Sequence, residues 1–382
     1  MKIDLQTIIA ASKNLGLDFV SHSKADFLQS EYERLESWQT KGFAGEMGFM
    51  QRSPDLLCNP KAIFDKANSI LVFALYYDRG PMPPFERGYG KVARYAWGKD
   101  YHKVIKKKLK QLLAVLQEKC GEQIEFRYFS DAVPLLERAI AKNAGLGFVG
   151  KNSLLIRPKS GSYFFIAEIL SNLEISENKL ALLDEDCGSC NNCISNCPTQ
   201  AIVGERVIDA KRCISYLTIE KKGILNEWER EALGEWIFGC DVCQEVCPFN
   251  HQSLKKEEPP QLEEFSKSAG VGPLLRLSEI LSIRTHEEYV GRFAGTALMR
   301  AGRESLVRNA ALVAANTAAE TAAEALRQAL YEDSSEVVRS SAFWSLSKLN
   351  HKCNIFTKQQ MDSFANKAYS DTLSIKQELQ IL

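Results

Sequence analysis

Eight of the eleven cysteines in this 382-residue sequence fall between positions 187 and 247. The first run, CGSCNNCISNCP, has the spacing C-x2-C-x2-C-x3-C-P that binds 4Fe–4S clusters. The second group is one isolated cysteine followed by the run CDVCQEVCP. In the reducing compartment expected for this chain, cysteines should be thiols or metal ligands and not disulfides. The sequence therefore predicts two iron–sulfur clusters.

The cysteines divide into two sets of four, because in two-cluster proteins the fourth cysteine of each run binds the other cluster. The first set is Cys187, Cys190, Cys193 and Cys247, and the second set is Cys197, Cys213, Cys240 and Cys243. Cys213 stands 27 residues before Cys240 instead of three, which departs from a symmetric double run. Four-cysteine zinc sites are the alternative, but zinc does not explain a third thiol at this spacing with a trailing Cys-Pro.

The residues before the cysteine-rich segment are expected to form a mixed α/β domain. The continuous apolar run SILVFALYY at 69–77 is typical of a buried strand, and a lysine-rich helix is expected from roughly 100 to 119. Further strands are expected near IEFRYF, SLLIRP and YFFIAEILS, with a helix near VPLLERAIAKNA. This order predicts a central sheet covered by helices.

The segment GLGFVGKNS at 145–153 imitates two nucleotide-binding motifs. Both motifs need a strand before the glycines and a helix after them, whereas here a predicted helix precedes them and a strand-like segment follows. The order excludes a Rossmann or P-loop site. The glycines are instead expected to end the helix in a left-handed cap and to bring the backbone close to a ligand.

Asp131 lies between a predicted strand and a predicted helix, in FSDAVPLLERA. One interpretation is a helix N-cap, because aspartate is a preferred capping residue and Pro134 would fall in the first turn. The other is a proton donor at the end of a strand, where sites in α/β domains usually open. The local sequence leaves both interpretations open.

The carboxy-terminal part changes character after KKEEPPQLEEF at 255–265, which is typical of a linker. The segments LVRNAALVAANT at 306–317 and VVRSSAFWSLSK at 337–348 share a pattern in which Arg308 matches Arg339. Such a period predicts a short α-solenoid of the HEAT type. Ordinary helical packing is the alternative explanation for the alanines.

The charge balance is neutral, with 48 basic and 48 acidic residues, so net charge alone indicates no nucleic-acid partner. Two local clusters are basic: Lys99, Lys103, Lys106, Lys107, Lys108 and Lys110, and then Arg284, Arg292, Arg300, Arg303 and Arg308. Each is either an ordinary solvated face or a surface that follows phosphates. The amino terminus lacks the pattern of a secretory signal, and no apolar stretch is long enough to span a bilayer, so we expect a cytoplasmic protein without a membrane partner.

Several segments together resemble epoxyqueuosine reductases. They are RYAWGKDYHKVIKKKL (94–109), SDAVPLLERAIAKNAGLGFVGKNSLLI (130–156), both cysteine runs, CISYLTIEKKG (213–223) and GTALMRAGRESLVRNAALVAAN (295–316). The resemblance covers nearly the whole chain in order. It implies an α/β cobalamin-binding domain similar to that of reductive dehalogenases at 1–180, a ferredoxin-like module with two 4Fe–4S clusters at 181–255, and a HEAT-like helical tRNA-binding domain at 256–382.

The resemblance also implies a reaction, the reduction of epoxyqueuosine to queuosine at the wobble position of tRNA. In the implied mechanism cob(I)alamin attacks the epoxide, the two clusters relay electrons, and Asp131 is the proton donor. The implied partners are the anticodon stem-loop of the tRNA and an external electron donor of low potential. No DNA partner is expected.

The resemblance places the corrin against three stretches of the chain, without a protein histidine on cobalt. The residues assigned to it are Tyr95, Trp97, Gly98, Lys151, Asn152, Ser153, Ser215 and Tyr216. Two other interpretations stay open. A reductive dehalogenase would use the same cofactors but normally carries an export signal and lacks the helical tail. A non-enzymatic iron–sulfur protein would use its clusters only to organise a nucleic-acid-binding surface.

Overall fold

The structure, a computed structural model, describes residues 2–77, 80–121, 123–176, 185–253 and 261–371. The chain forms two compact units, each assembled from three separate segments. The first unit comprises Met1–Gly80, Gly98–Lys211 and Val242–Ala269, and the second comprises Pro81–Trp97, Arg212–Asp241 and Gly270–Leu382. The predicted division into three consecutive domains stays a prediction, and residues 255–260 of the predicted linker lie outside the described residues.

The described residues contain thirteen strands and seventeen α-helices. The strands are β1 (Lys2–Asp4), β2 (Asp18–Lys24), β3 (Ser69–Tyr76), β4 (Tyr89–Val92), β5 (Phe126–Phe129), β6 (Phe148–Val149), β7 (Leu155–Ile156), β8 (Phe164–Ser171), β9 (Glu174–Ser176), β10 (Ile202–Gly204), β11 (Val207–Ile208), β12 (Trp236–Phe238) and β13 (Leu274–Arg276). The helices are α1 (Leu5–Lys13), α2 (Gln29–Thr40), α3 (Pro54–Leu57), α4 (Pro60–Ile63), α5 (Tyr101–Cys120), α6 (Glu137–Asn143), α7 (Asn192–Ser195), α8 (Ile214–Ile219), α9 (Glu227–Ala232), α10 (Val242–Glu245), α11 (Pro248–Ser253), α12 (Leu277–Leu281), α13 (His286–Phe293), α14 (Arg303–Asn316), α15 (Ala323–Glu332), α16 (Glu336–Cys353) and α17 (Lys358–Asp371). No helix among these is long and apolar enough to cross a membrane.

The first unit is built on a four-stranded sheet with the order β2-β3-β8-β5. Every neighbouring pair in this sheet is antiparallel. All eight residues of β3 are buried, as a strand with side chains packed on both faces requires. The predicted strands at 69–77, IEFRYF, SLLIRP and YFFIAEILS are confirmed.

Helices cover both faces of this sheet. Neighbouring strand residues point to opposite faces, so successive apolar residues of β8 pack against different helices. On one face the ring of Phe165 stacks on Tyr101 of α5 at 4.3 Å between centroids. On the other face Phe164 belongs to the same apolar core as Ile140 of α6. The N-cap of helix α5 is Asp100, whose carboxylate accepts a hydrogen bond from the backbone N–H of His102 at 3.1 Å. The predicted lysine-rich helix is confirmed.

Helix α6 begins at Glu137, four residues later than the predicted segment that starts at Val133. A proline disfavours helical backbone at the residue before it, and Val133 precedes Pro134. The end of α6 matches the prediction. Gly145 has φ +76°, and the N–H of Leu146 donates to the carbonyl of Ala141 at 2.9 Å. This left-handed cap leads into the hairpin of β6 and β7, so the order of helix before and strand after the glycines is confirmed.

The second unit combines a three-stranded sheet, ordered β12-β4-β13, with the carboxy-terminal helices. The two similar sequence patterns lie on α14 and α16, and their matched arginines have similar contacts. Arg339 donates to the backbone carbonyls of Asp333 and Ser334 at 2.8 and 2.9 Å, as Arg308 does to other carbonyls. The helical character of this part of the chain is confirmed.

Candidate active site and iron–sulfur sites

All four cysteines of the first predicted set line one cavity in the first unit, with an open volume of about 300 Å³. Cys187 and Cys190 lie in the loop before α7, Cys193 lies within α7, and Cys247 immediately precedes α11. The remaining wall is formed by Lys151, Asn152, Ile156, Asn192, Pro248 and Phe249. Within the described residues no three cysteine, histidine or carboxylate side chains converge as they would around a single metal ion. Four thiols that line one cavity without converging on a point are suited to bind a metal cluster and not a single metal ion.

Burial disfavours the thiolate form of two cysteines in this cavity, Cys193 and Cys247. Burial, and then the neighbouring thiolates of Cys187, Cys247 and Cys190, raise the pKa of Cys193 to about 11. Burial likewise raises the pKa of Cys247. Iron bound to the sulfurs would displace these protons, since metal ligation requires deprotonated thiolates. The residues present therefore fit a 4Fe–4S cluster held by four cysteines.

Lys151 brings a fixed positive charge to the same cavity. Its backbone N–H donates to Cys187 Sγ at 3.4 Å, and its ammonium binds Asn191 Oδ1 at 3.1 Å and Glu205 Oε1 at 2.8 Å. The hydrogen bond to Glu205 raises the pKa of Lys151 and outweighs the effect of burial. N–H···S contacts and a nearby ammonium both favour negative charge on the sulfurs.

Replacing Cys193 with alanine is expected to remove one cluster and about half of the bound iron, because a 4Fe–4S cluster needs all four thiolates. Iron and acid-labile sulfide per chain measure this loss in protein purified without oxygen. The matched control is Cys353→Ala, which removes a partly buried thiol of α16 that belongs to neither set. Wild-type iron content in the Cys193 variant would contradict the assignment.

The second predicted set is divided between the two units. Cys197 and Cys243 belong to the first unit, whereas Cys213 and Cys240 belong to the second. Cys197 Sγ accepts a hydrogen bond from the backbone N–H of Ala201 at 3.2 Å. Cys213 is the N-cap of α8 and directly precedes Ile214. The grouping of these four cysteines as one ligand set stays a prediction.

Asp131 occupies an unusual backbone conformation at the end of β5. Its φ is +51°, in the left-handed region that residues other than glycine rarely adopt. The N-cap of α6 is Leu136, which makes no side-chain capping bond, so the interpretation of Asp131 as a helix cap is wrong. Strained backbone of this kind persists only where surrounding contacts hold it, and it is common at functional sites.

Two side chains hold the turn that carries Asp131. The hydroxyl of Tyr101 donates to Asp131 Oδ2 at 2.9 Å, and the backbone N–H of Asp131 donates to Glu137 Oε1 at 2.6 Å. Asp131 itself is exposed, so its carboxyl group can meet a substrate. This arrangement presents an oriented acid to solvent, which is what a general acid requires.

Three residues near Asp131 were not predicted from the sequence: Tyr101, Glu137 and Glu168. Glu168 lies opposite Phe129 in the register of β8 and β5, two residues before Asp131. It is completely buried. The signal for Glu168 is present in the sequence, since it is the one acid within the apolar run YFFIAEILS. Tyr101 and Glu137 stand in patterns that ordinary helices also have.

The predicted corrin-facing residues near position 95 have packing roles within their own units. Trp97 has no exposed surface, and its indole N–H donates to the carbonyl of Val92 at 2.7 Å. Trp97 is therefore part of the core of the second unit, and its assignment to a corrin contact stays a prediction. The ring of Tyr95 contacts Phe238 at 6.1 Å between centroids. At Gly98 a side chain would approach the carbonyl of Glu264 to 2.6 Å, so close backbone packing requires glycine there.

The other predicted corrin-facing residues lie next to cysteine-bearing segments. Asn152 is buried, and its amide donates to the carbonyl of Cys243 at 3.4 Å. Ser153 has φ +62°. Ser215 and Tyr216 lie in the first turn of α8, directly after Cys213, where Ser215 is partly buried and Tyr216 is buried. The assignment of these residues to a corrin stays a prediction.

The two basic clusters differ in exposure. Lys103, Lys106, Lys107 and Lys110 are exposed on α5. Arg308, by contrast, has no exposed surface, so its predicted place on a phosphate-binding face is wrong. Its guanidinium donates at 2.8 to 2.9 Å to the backbone carbonyls of Leu217, Lys221 and Gly223. These carbonyls lie in and after α8, which explains a buried arginine as a structural residue.

Comparison with known proteins agrees with this geometry. Residues 186–250 match the family model of a 4Fe–4S double cluster binding domain. The fold and the cysteine-lined cavity thus define an iron–sulfur protein of the double-cluster class. Residues 58–132, which include Asp131, match the family model described as Epoxyqueuosine reductase QueG.

Relatives that match over most of the chain identify the family. The epoxyqueuosine reductase of Leadbetterella byssophila is 40% identical over 299 residues, which are 78% of this chain and 94% of that protein. A crystal structure of epoxyqueuosine reductase with an epoxyqueuosine-modified tRNA-Tyr stem loop matches with a TM-score of 0.86 and 29% identity, over 98% of this chain and 96% of that one. A Bacillus subtilis epoxyqueuosine reductase, described with its catalytic aspartate loop swung out of the active site, matches with a TM-score of 0.81 and 27% identity over the same shares. The chain belongs to the epoxyqueuosine reductase family.

Proposed function

We propose that this protein reduces epoxyqueuosine to queuosine in tRNA, with Asp131 as the proton donor. Family membership over most of the chain is the observation that carries the reaction. The role of Asp131 is supported by its exposed carboxyl group, its left-handed backbone and the contacts of Tyr101 and Glu137. The similar Bacillus subtilis structure has a catalytic aspartate on a loop, which agrees with an acid on a turn after β5.

The proposed cofactors are two 4Fe–4S clusters and cobalamin. Cys187, Cys190, Cys193 and Cys247 would hold one cluster, and Cys197, Cys213, Cys240 and Cys243 the other. When bound, the clusters supply single electrons and cobalamin supplies a reduced cobalt that is nucleophilic toward an epoxide carbon. Lys151 would stabilise the negative charge of the first cluster through its N–H and its ammonium. The corrin would lie against the three predicted stretches of the chain, and an external donor of low potential would supply the electrons.

The chain's own contribution to the reaction is proton delivery. Opening an epoxide leaves negative charge on its oxygen, and forming the alkene releases that oxygen as water. Asp131 in its protonated form would donate to this oxygen, while Tyr101 orients the carboxyl group through Oδ2. Positioned general acids of this kind contribute rate factors of about 10²–10⁴.

The proposed tRNA-binding surface includes the exposed lysines of α5 and HEAT-like helices of the second unit. The double-stranded stem of an RNA is recognised mostly by its shape and its backbone, so closely spaced cations can bind its phosphates. The similar structure with a bound stem loop supports a tRNA anticodon stem-loop as the ligand. Arg308 is not part of this surface, because it is buried.

Reversing the charge of Lys106 and Lys107 together is expected to weaken binding of a tRNA anticodon stem-loop. The slope of log affinity against log salt should decrease by about 1 for each phosphate that the variant no longer neutralises. Fluorescence anisotropy at several salt concentrations measures both quantities. Lys119→Glu, an exposed position near the end of the same helix, is the matched control. An unchanged slope in the double variant would remove α5 from the surface.

The reaction is tested by digesting tRNA from cells that lack the protein and measuring its nucleosides. Epoxyqueuosine should accumulate, and the wild-type gene should restore queuosine. A non-enzymatic iron–sulfur protein would leave queuosine unchanged. The cofactor is tested separately, by adding cobalamin to protein purified without oxygen and desalting it, because corrin absorption that persists identifies a bound cofactor.

A further inference from the structure

Lys151 supplies a positive charge in the wall of the cavity that the first cysteine set lines. Among the described residues that line this cavity, it is the only one besides the cysteines whose side chain ionises. Its ammonium binds Oδ1 of Asn191, the residue directly after Cys190, at 3.1 Å. Only 10% of the Lys151 side chain is exposed. Water and salt screen such a charge less than a surface charge, so it acts strongly on the nearby sulfurs.

The tip of the β10–β11 hairpin holds both the side chain and the backbone of Lys151. The two strands pair with Gly204 opposite Val207, which leaves Glu205 and Arg206 at the turn. The carboxylate of Glu205 binds the ammonium of Lys151 at 2.8 Å. The backbone N–H of Arg206 donates to the carbonyl of Lys151 at 3.0 Å. Two neighbouring residues of one turn therefore fix the position of this lysine.

The turn adopts a strained backbone to make these contacts. Arg206 has φ +63°, in the left-handed region that residues other than glycine rarely adopt. Backbone of this kind persists only where surrounding contacts hold it, and it is common at functional sites. The strain at Arg206 indicates that the contact between the hairpin and Lys151 has a use.

An ordinary surface ion pair is the alternative explanation for the contact of Glu205 with Lys151. Glu205 fits this explanation, because 66% of its side chain is exposed, and exposed pairs contribute little to stability. Lys151 does not fit it, since the residue lies in the cavity wall and its backbone N–H donates to Cys187 Sγ at 3.4 Å. Asp186, the acid before Cys187, is itself exposed, so water screens its opposing charge.

We infer that Glu205 and Arg206 fix the ammonium of Lys151 beside the first cluster and thereby set how readily this cluster accepts an electron. The inference rests on the proposed 4Fe–4S cluster in this cavity. Uptake of one electron adds one negative charge, which a fixed cation stabilises, so Lys151 raises the reduction potential. The external donor loses that electron, and no bond of the chain forms or breaks. The carboxylate of Glu205 opposes the effect, but its exposure to water weakens its influence.

A redox titration followed by electron paramagnetic resonance tests the role of Lys151 in protein purified without oxygen. Lys151→Met removes the ammonium and keeps the backbone N–H that donates to Cys187. We expect the equilibrium constant for reduction of the first cluster to fall about 10-fold on loss of this charge, which is about 59 mV for a one-electron couple. Lys151→Arg should recover most of the loss, because it restores a positive charge. The step that shifts should be the one that Cys193→Ala abolishes.

Two substitutions at Glu205 separate its positioning role from its charge. Glu205→Ala releases the ammonium toward solvent, so the equilibrium constant for reduction should fall about 3-fold. Glu205→Gln keeps an oxygen that accepts a hydrogen bond from the ammonium and removes the opposing charge. In that variant the constant should equal the wild-type value or exceed it by up to about 3-fold. Glu125→Ala is the matched control and should leave the potential unchanged, because Glu125 forms an exposed ion pair with Lys66 of the same unit.

The iron content of every variant is measured beside its potential. A wild-type potential in Lys151→Met with full iron content would overturn the inference. Should that variant lose iron, the two Glu205 variants still decide, since they alter an exposed side chain. A potential at or above the wild-type value in Glu205→Ala would overturn the positioning role, because Glu205 would then act through its charge alone or not at all. Absence of any 4Fe–4S signal from the wild-type protein would refute the proposed cofactors instead.

Discussion

Asparagine in place of Asp131 is expected to slow the conversion of epoxyqueuosine in tRNA by about 10²–10⁴-fold, because the amide has no acidic proton to donate. Iron content, corrin content and tRNA affinity should all stay at the wild-type level. The rate is measured in a single turnover with the reduced enzyme in excess over modified tRNA. This readout isolates the chemical step from tRNA binding and release.

Asparagine is a better substitution than alanine at this position, because φ of +51° suits asparagine and strains alanine. An alanine variant would mix the loss of the acid with a disturbed turn. Tyr101→Phe is the graded control, since it removes one hydrogen bond to Asp131 and leaves the acid. A single bond of this kind is worth about 0.5–1.5 kcal/mol, so the rate should fall by about 2- to 10-fold. Near-normal turnover in Asp131→Asn would refute the assignment.

Methionine in place of Arg308 is expected to lower the free energy of unfolding of the second unit by about 3 kcal/mol, because each backbone carbonyl left unpaired costs about 1–3 kcal/mol and relaxation recovers part of it. Three carbonyls, those of Leu217, Lys221 and Gly223, lose their donor. The side chain of the neighbouring Asn309 loses its hydrogen bond from the guanidinium as well. Urea unfolding followed by circular dichroism measures the change.

Arg300→Ala provides the matched control for this prediction. Its guanidinium is mostly exposed and binds Glu220 at 3.0 Å. Exposed ion pairs contribute about 0–1 kcal/mol, so this variant should unfold close to the wild type. In tRNA binding the order should be reversed: if Arg300 faces phosphates, Arg300→Ala should bind tRNA more weakly than Arg308→Met does. A destabilisation by Arg308→Met no larger than that of Arg300→Ala would contradict the structural role.

The strands and helices around the site could be predicted from apolar patterns, because burial on both faces of a sheet leaves a continuous run such as that of β3. The position of Asp131 after a strand followed from the same pattern. Its left-handed backbone did not, since that conformation depends on Glu137, six residues later, and on Tyr101 from another helix. We expected a site at the end of a strand because sites in α/β domains usually open there, where strands run parallel. This sheet is antiparallel, so the contacts of Asp131 and not the order of the strands explain its position.

Residue type predicted ligands better than it predicted surfaces. Cysteine spacing identified four thiols that line one cavity, because ligands on short loops must converge on their cluster. The arginines of the carboxy-terminal helices were taken together as one basic face. Arg308 departs from it because its backbone acceptors, in and after α8, come from a segment about ninety positions earlier in the chain, and no local pattern reveals such a partner.

The way in which each unit is assembled from separate segments constrains when the cofactors can be inserted. The first cavity receives Cys187, Cys190 and Cys193 from the middle segment of the first unit, but Cys247 comes only with its last segment, Val242–Ala269. Between them the chain must supply Arg212–Asp241 to the other unit. During synthesis the amino-terminal sheet can therefore form early, while the cluster cavity stays incomplete until the chain has passed residue 247. Iron–sulfur assembly in this cavity must therefore follow synthesis of the first 247 of the 382 residues. Pairings between such distant segments form slowly.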